Sequence, residues 1–338
     1  MARSKTSFRL LLATAMLSLL PLYGLWVWKG AGPLGAQATV LVPRGASVEA
    51  LADQLEQAGI IRSAALFKVW ARARRLQLIR GEYSFRPRAS LSEVANKLKR
   101  GDIHYTVITV PPGIHAWAVQ HRFKDFIPED VFWTLWKSPH LAAVAGFPQA
   151  PDLEGLVAPA SYRVNHALEP EEIFLMLMET FRDKVRPTLD GGPLSPYHTL
   201  ILASMVEKET PIPAELPRVA GVYAQRLRLG MRLQCDPTSL YARWKSGDLR
   251  FTGPTPEDIH RPSPYNTYTV AGLPPTPIAA AGPAAIAAAK APELGPELYF
   301  VATGHGGHVF AASLAEHNHN VGQYRQEEAR KRKAAARG

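Results

Sequence analysis

The chain has 338 residues, 46% of them hydrophobic and 20% charged, which is enough to bury more than one core and excludes a disordered or fibrous protein. Its net charge of +10 is concentrated at the ends: Arg3, Lys5, Arg9 and Lys29 lie near the start, and six Lys/Arg against Glu327 and Glu328 mark residues 325–338. The body between is nearly neutral, which argues against a nucleic-acid groove, and a lone Cys235 excludes an intramolecular disulfide.

Residues 10–28 form an uncharged run of 19. At ~1.5 Å per residue it nearly crosses a ~30 Å hydrocarbon layer. The basic flank predicts a cytoplasmic N-terminus with the body beyond the inner membrane, so residues 1–30 read as a stub and transmembrane anchor. A cleaved signal peptide ending near Ala36-Gln37-Ala38 is the alternative. The length of the run, and Trp26 and Trp28 at its end, favour a retained anchor.

After a Gly/Pro/Ala connector, residues 39–42 read as a strand and Pro43-Arg44-Gly45 as a turn. Ser47 then caps a helix with Val48, Leu51, Leu55 and Ala58 on one face, stopped by Gly59. A second helix, 63–76, is expected to bury Leu66, Val69, Trp70 and Ala73. Residues 81–85 read as a strand, and Ser90 caps a third helix to Gly101. Residues 38–103 are thus a small α+β module. Val42-Pro43-Arg44-Gly45 recurs as Val110-Pro111-Pro112-Gly113, each time after a β-branched run and before a helical pattern. Trp117, Phe123, Phe126, Phe132, Trp133 and Trp136 follow, as an aromatic core or, alternatively, a sugar-stacking surface.

Helices are expected over 171–185, 197–209 and 219–229. Residues 230–283, rich in Pro, Gly, Tyr and Asn, read as ordered loops over a groove. Residues 298–302 and 309–311 read as a hairpin, and the tail from Arg325 as a solvated basic helix or a disordered end.

Helix 197–209 is apolar on nearly every side, as a buried helix should be. Yet it carries Glu207 and Glu209, and a buried carboxylate is paired, protonated or functional. Two residues apart, they point about 160° away from one another, so they do not make the facing pair of an ordinary glycosidase. Glu207 shares its face with Leu200, Ala203 and Ser204, two of them small enough to leave a groove. Apolar walls would raise its pKa toward that of a general acid. Glu209 is the candidate for a structural pairing. Spacing alone leaves a catalytic Glu207 and a structural ion pair both open.

Residues 202–210, Leu-Ala-Ser-Met-Val-Glu-Lys-Glu-Thr, resemble the catalytic signature of the YceG-like endolytic murein transglycosylases. The resemblance continues through residues 219–229, Gly230-Met231-Arg232-Leu233-Gln234, Asp236-Pro237-Thr238, Ser263-Pro264-Tyr265-Asn266-Thr267-Tyr268, Gly272-Leu273-Pro274-Pro275, residues 298–301 and Gly306-Gly307-His308. It implies an α+β protein with a transmembrane helix, a LysM-like module at 38–103 and a mixed α+β catalytic domain at 104–324 built around a buried helix. It also implies that Glu207 protonates the bridging oxygen between N-acetylmuramic acid and N-acetylglucosamine. As a carboxylate, Glu207 then takes the proton of the muramic C6 hydroxyl, leaving a 1,6-anhydro end without water, metal or cofactor. The implied partners are peptidoglycan glycan strands, the inner membrane and peptidoglycan synthases such as penicillin-binding proteins; no nucleic acid is expected. Two departures stand out. Cys235 replaces a common Thr, and residues 154–162, Glu-Gly-Leu-Val-Ala-Pro-Ala-Ser-Tyr, are less aromatic than the family pattern.

Ser204, Gln234, Asp236, Tyr265, Asn266 and Tyr268 are candidate substrate contacts, with amide, hydroxyl and stacking chemistry suited to N-acetyl sugars. The plainer alternatives are loop packing for the tyrosines and Asn266, and a turn or helix start at Asp236-Pro237. His305, His308, His317 and His319 fit no common zinc spacing. The rival function is a catalytically silent peptidoglycan-binding scaffold for wall synthases.

Overall fold

A computed structural model describes residues 21–33, 35–250 and 253–335. The chain divides into two compact units, one reaching to Val107 and taking back Arg163–Glu169, the other holding Ile108–Tyr162 and everything after Pro170. Most of the expected anchor, residues 10–20, lies outside the described residues. The rest of that run is helical (α1, 21–29). Val27 is buried with the core of the first unit, Trp28 lies 5.7 Å from Trp70, and the Arg62 guanidinium sits 4.4 Å over Trp26. Among the described residues no helix is long and apolar enough to cross a membrane.

In the first unit β1 (Ala38–Val42) pairs antiparallel with β2 (Gly81–Phe85), with Val40 opposite Tyr83. Helices α2 (Val48–Gln57) and α3 (Ala64–Ala73) lie between the strands in sequence, and α4 (Leu91–Arg100) follows. Ser47 and Ser90 cap α2 and α4 as expected, Ser90 in a full capping box with Glu93, and Ser63, expected inside its helix, caps α3. Each satisfies amide groups that the first turn leaves unpaired. The buried face of α3 differs from the expectation. Phe67 and Ala71 point inward, Leu66 and Trp70 only flank the core, and Val69 (65% exposed) and Ala73 face solvent.

The repeated Val-Pro-x-Gly units have the same geometry. Strands β1 and β3 (Thr106–Val110) end at Val42 and Val110, and Gly45 and Gly113 take φ of +75° and +73°. Helices α2 and α5 (Ala116–Phe123) each start three residues later. Only glycine enters this left-handed region at little cost.

In the second unit α5, α6 (Glu129–Trp136) and the turn between them carry the aromatic run, and α7 (Pro139–Val144) follows. Phe123, Phe132 and Trp136 are buried, so it is chiefly core. Strand β4 (Ala160–Val164) pairs with β3, and α8 (Pro170–Lys184) buries Ile173, Phe174, Leu177, Met178 and Phe181. The central helix α9 (Pro196–Glu209) is buried continuously from Thr199 to Val206 and packs on α10 (Leu216–Arg228), α11 (Asp236–Lys245) and α13 (Pro283–Lys290). The hairpin β5 (Tyr299–Ala302) and β6 (His308–Ala311) leads into α14 (Leu314–Ala335), so the basic tail takes the helical alternative.

Residues 230–283, expected as loops, contain α11 and the short α12 (Pro256–His260), each with a proline in its first turn. Proline is compatible with that position, so the composition that suggests loops also begins helices. Arg243 Nη1 donates to Asp258 Oδ2 at 2.7 Å, and both side chains are 1% exposed. Burial alone would raise the Asp258 pKa. The Thr255 amide and hydroxyl, then Arg243 and Arg261, outweigh it and hold the group below the usual value. A depressed carboxyl contributes stability that is complete above the unfolded pKa of about 4 and is lost as pH falls through the folded pKa. Asp258→Ala should therefore cost about 3–5 kcal/mol at neutral pH, with a deficit that shrinks below pH ~4 in urea titrations. A deficit unchanged by acid would contradict the ion-pair account.

Candidate active site

The expected substrate residues separate into two groups. Ser204 is fully buried; its hydroxyl donates to Ile201 O at 2.7 Å and accepts from Ile278 N–H at 3.0 Å. It is a core tie rather than a sugar contact, because residues 278–282 fill the space above the small side chains of α9. Asn266 is equally buried. Its amide donates to the carbonyls of Asp258, Ile259 and Arg261 and accepts from Tyr268 N–H, fastening the loop. Tyr265 packs 5.0 Å from Tyr241, and its hydroxyl accepts from Thr276.

Gln234, Asp236 and Tyr268 do come together, in a cleft of about 610 Å³ that Glu209 also lines. Arg226, Tyr299, Phe300, His308 and His317 also line it. Glu207 does not. Its Oε2 accepts the Gly282 N–H at 2.9 Å, where Gly282 is the N-cap of α13, and Lys208 beside it donates to Gly113 O at 3.2 Å. A carboxylate at a helix start is a stabilising arrangement. Glu207 and Glu209 thus meet different surroundings: Glu207 stands at the start of α13, and Glu209, expected as the structural partner, pairs with Tyr223 and also lines this cleft.

Glu209 ends α9 at the Pro211 break, so its side chain emerges where the helix stops. Tyr223 of α10 donates a short hydrogen bond to its Oε1. Burial, the largest influence, raises the Glu209 pKa; bonds from Tyr223 and Cys235 lower it, Asp236 raises it and His308 lowers it, with a net rise. The Glu207 pKa is also raised, by burial first, with the Gly282 N–H and Lys208 opposing. Acidity therefore does not separate the two glutamates, whereas position does.

Arg226 braces the cleft, donating to Leu298 O at 2.6 Å, Leu233 O at 2.7 Å and Gln234 Oε1 at 3.3 Å. Gln234 holds a φ of +54°, strained for a residue with a side chain. Tyr268 donates to Asp236 Oδ1 at 2.6 Å. Cys235, fully buried, caps α11, and its thiol pKa is pushed up by burial and then by the Glu209 charge. The departure from Thr thus lies against the cleft acid.

In the less aromatic stretch Leu156, Val157 and Ala158 pack into the core. Glu154 is buried beside them, its pKa raised to about 8 by burial and then by Asp152, while it accepts from the Tyr241 hydroxyl and Ala116 N–H. His308 bonds Glu215, and His305 lies 3.5 Å from Glu327. Sequence reasoning missed Arg226, which lines the cleft, and the buried Tyr223, which bonds its glutamate. They lie four residues or more before Gly230, on a helix whose periodicity marks only its apolar face.

A protonatable carboxyl at a buried helix end, opening on a polar cleft, is the arrangement of an acid–base enzyme. The sequence profile of the YceG-like family matches residues 40–323, and the chain belongs to that family. It is 29% identical over 312 residues to the endolytic murein transglycosylase of Bacillus subtilis, a match covering 82% of each chain. Against the endolytic murein transglycosylase of Streptococcus pneumoniae serotype 2 it is 26% identical over 319 residues, spanning 85% of this chain but 58% of that one. The crystal structure of a YceG-like protein of Listeria monocytogenes is similar with a TM-score of 0.56 and 27% identity, covering 83% of this chain and 98% of that one.

Proposed function

We propose that the protein is an endolytic peptidoglycan transglycosylase, a lyase, with Glu209 as its acid and base. The observation that carries the residue assignment is that Glu209 shares one cleft with Gln234, Asp236 and Tyr268, whereas Glu207 caps α13. The names of the relatives support the reaction class. Glu209, whose protonated form is favoured by burial, donates to the oxygen bridging muramic acid to the next sugar, and that bond breaks. The resulting carboxylate takes the proton of the C6 hydroxyl as its oxygen bonds to C1, returning Glu209 to its starting state and leaving a 1,6-anhydro end. Asp236, pinned by Tyr268, is placed to stabilise the positive charge that develops on the sugar ring.

Asp236 also favours a second reading, because two carboxylates in one cleft are the equipment of a hydrolase. Digestion of uncrosslinked glycan strands in heavy-oxygen water separates the two. The expected new ends are one water lighter than hydrolysed ends and carry no label; labelled reducing ends would establish the hydrolase.

The βααβ order of the first unit supports a LysM-like module at 38–103 that holds the strand. The basic flank before residues 10–28 supports a single-pass inner-membrane anchor with the body outside, where cleavage of nascent strands would end their elongation beside peptidoglycan synthases. A well-folded protein that cleaves no strand would favour the scaffold.

A further inference from the structure

We infer that the first three turns of α14 form a wall of the cleft and that His317 contacts substrate there, donating a hydrogen bond from Nε2 to a neutral sugar oxygen. This rests on the reading of the cleft as a glycan site. Leu314, His317, Asn318, Val321 and Tyr324 all line the cleft, and their spacing of three and four residues places them on one helix face. Neither their polarity nor the sequence resemblance singles them out.

The ring of His317 is held in place. It stacks on Tyr299 with centroids 5.2 Å apart and planes 24° from parallel, and the Arg226 guanidinium lies 5.0 Å from the same Tyr299 ring. Nδ1 is sealed from solvent and has no hydrogen-bond partner among the described residues. A buried N–H without an acceptor is costlier than a buried lone pair, so the ring proton belongs on Nε2, on the opposite edge. Burial, and then the charge of Arg226, disfavour the imidazolium. The outcome is a neutral, oriented N–H donor lining the cleft.

The class of acceptor follows from the neighbours. Arg226 directs Nε to Leu298 O and Nη1 to Arg232 O, Leu233 O and Gln234 Oε1, so those two edges of its guanidinium are held by the protein. With Asp236 and Glu209 also present, the cleft suits a neutral hydroxyl or N-acetyl carbonyl better than a carboxylate or phosphate.

The test measures binding of isolated uncrosslinked glycan strands to the full chain carrying Glu209→Gln, which should bind without cleaving. Adding His317→Phe, which keeps a flat ring on Tyr299 and removes the donor, should weaken binding about tenfold with thermal stability unchanged. In the cleaving enzyme the same substitution should raise KM by a similar factor and alter kcat less. His317→Gln, whose amide can donate from nearly the same place, should remain within about threefold of the parent. Undiminished binding in His317→Phe, or equal losses in Phe and Gln, overturns the inference while leaving the glycan reading intact. If Glu209→Gln alone binds no strand, the glycan reading falls and takes the inference with it.

Discussion

Glu209→Gln should lower the rate of strand cleavage by about a thousandfold or more while leaving the fold intact. The amide can still accept from Tyr223 but has no proton to transfer, and positioned acid–base groups contribute ~10²–10⁴-fold. The same residue serves in both half-steps, so its loss should fall at the upper end of that range. Glu207→Gln should stay within about threefold of the parent rate, because its amide oxygen still accepts the Gly282 N–H at the start of α13. Its expected mark is a melting temperature a few degrees lower, since a neutral amide interacts less well with a helix start than a carboxylate does. The two purified variants are compared by mass analysis of the muramic ends they release, with circular dichroism as the folding control. An inactive Glu207→Gln beside an active Glu209→Gln would return the acid to the residue that the family resemblance implies.

That contrast shows where the sequence is legible. The apolar circumference of α9 predicts burial, and the helix is buried from Thr199 to Val206. The ~160° between the two glutamates correctly sends them to different surroundings. What local pattern does not contain is which surroundings each one meets. Ala203 and Ser204 were expected to leave a groove, but small side chains also let another segment approach, and here the chain 74 residues on does so, with Ile278 bonded to Ser204. The partners of Glu209, Tyr223 and Cys235, come from two other helix starts and faces, and no periodicity links them to α9. The same limit explains residues 230–283. Their prolines correctly mark chain turns, yet Pro237 and Pro256 stand at helix starts, where the missing N–H has no cost. In the first unit the Ser caps, the glycine turns and the two strands could all be read locally, because each depends on neighbours within a few residues. The buried face of α3 could not, because the pattern offers two adjacent apolar stripes and the core accepts the one with Phe67.

Gly221→Ala should be the most damaging single methyl in the second unit. Gly221 lies within α10, where a Cβ would stand 1.9 Å from the Glu293 carbonyl oxygen and 2.8 Å from its carbon. Both are backbone atoms, so no side chain can swing aside. The approach is held in place, because Glu293 N–H donates to Pro217 O at 2.9 Å and α10 packs on α13. Either the helix or the segment after α13 must shift. Overpacking of this kind costs ~1–3 kcal/mol and sometimes more, and backbone opposition places it at about 3 kcal/mol or above. For a unit of this size that corresponds to a fall in melting temperature of roughly 6–12 °C. Displacement of α10 would also move Tyr223 and Arg226, so cleavage should fall at temperatures where the variant is still folded. Gly253→Ala, where a Cβ meets nothing within 4 Å, is the control and should stay within about 0.5 kcal/mol of the parent. If Gly221→Ala melts with the control and cleaves at the parent rate, α10 is not held against residue 293 in solution, and the placement of Tyr223 over the Glu209 carboxyl loses its support.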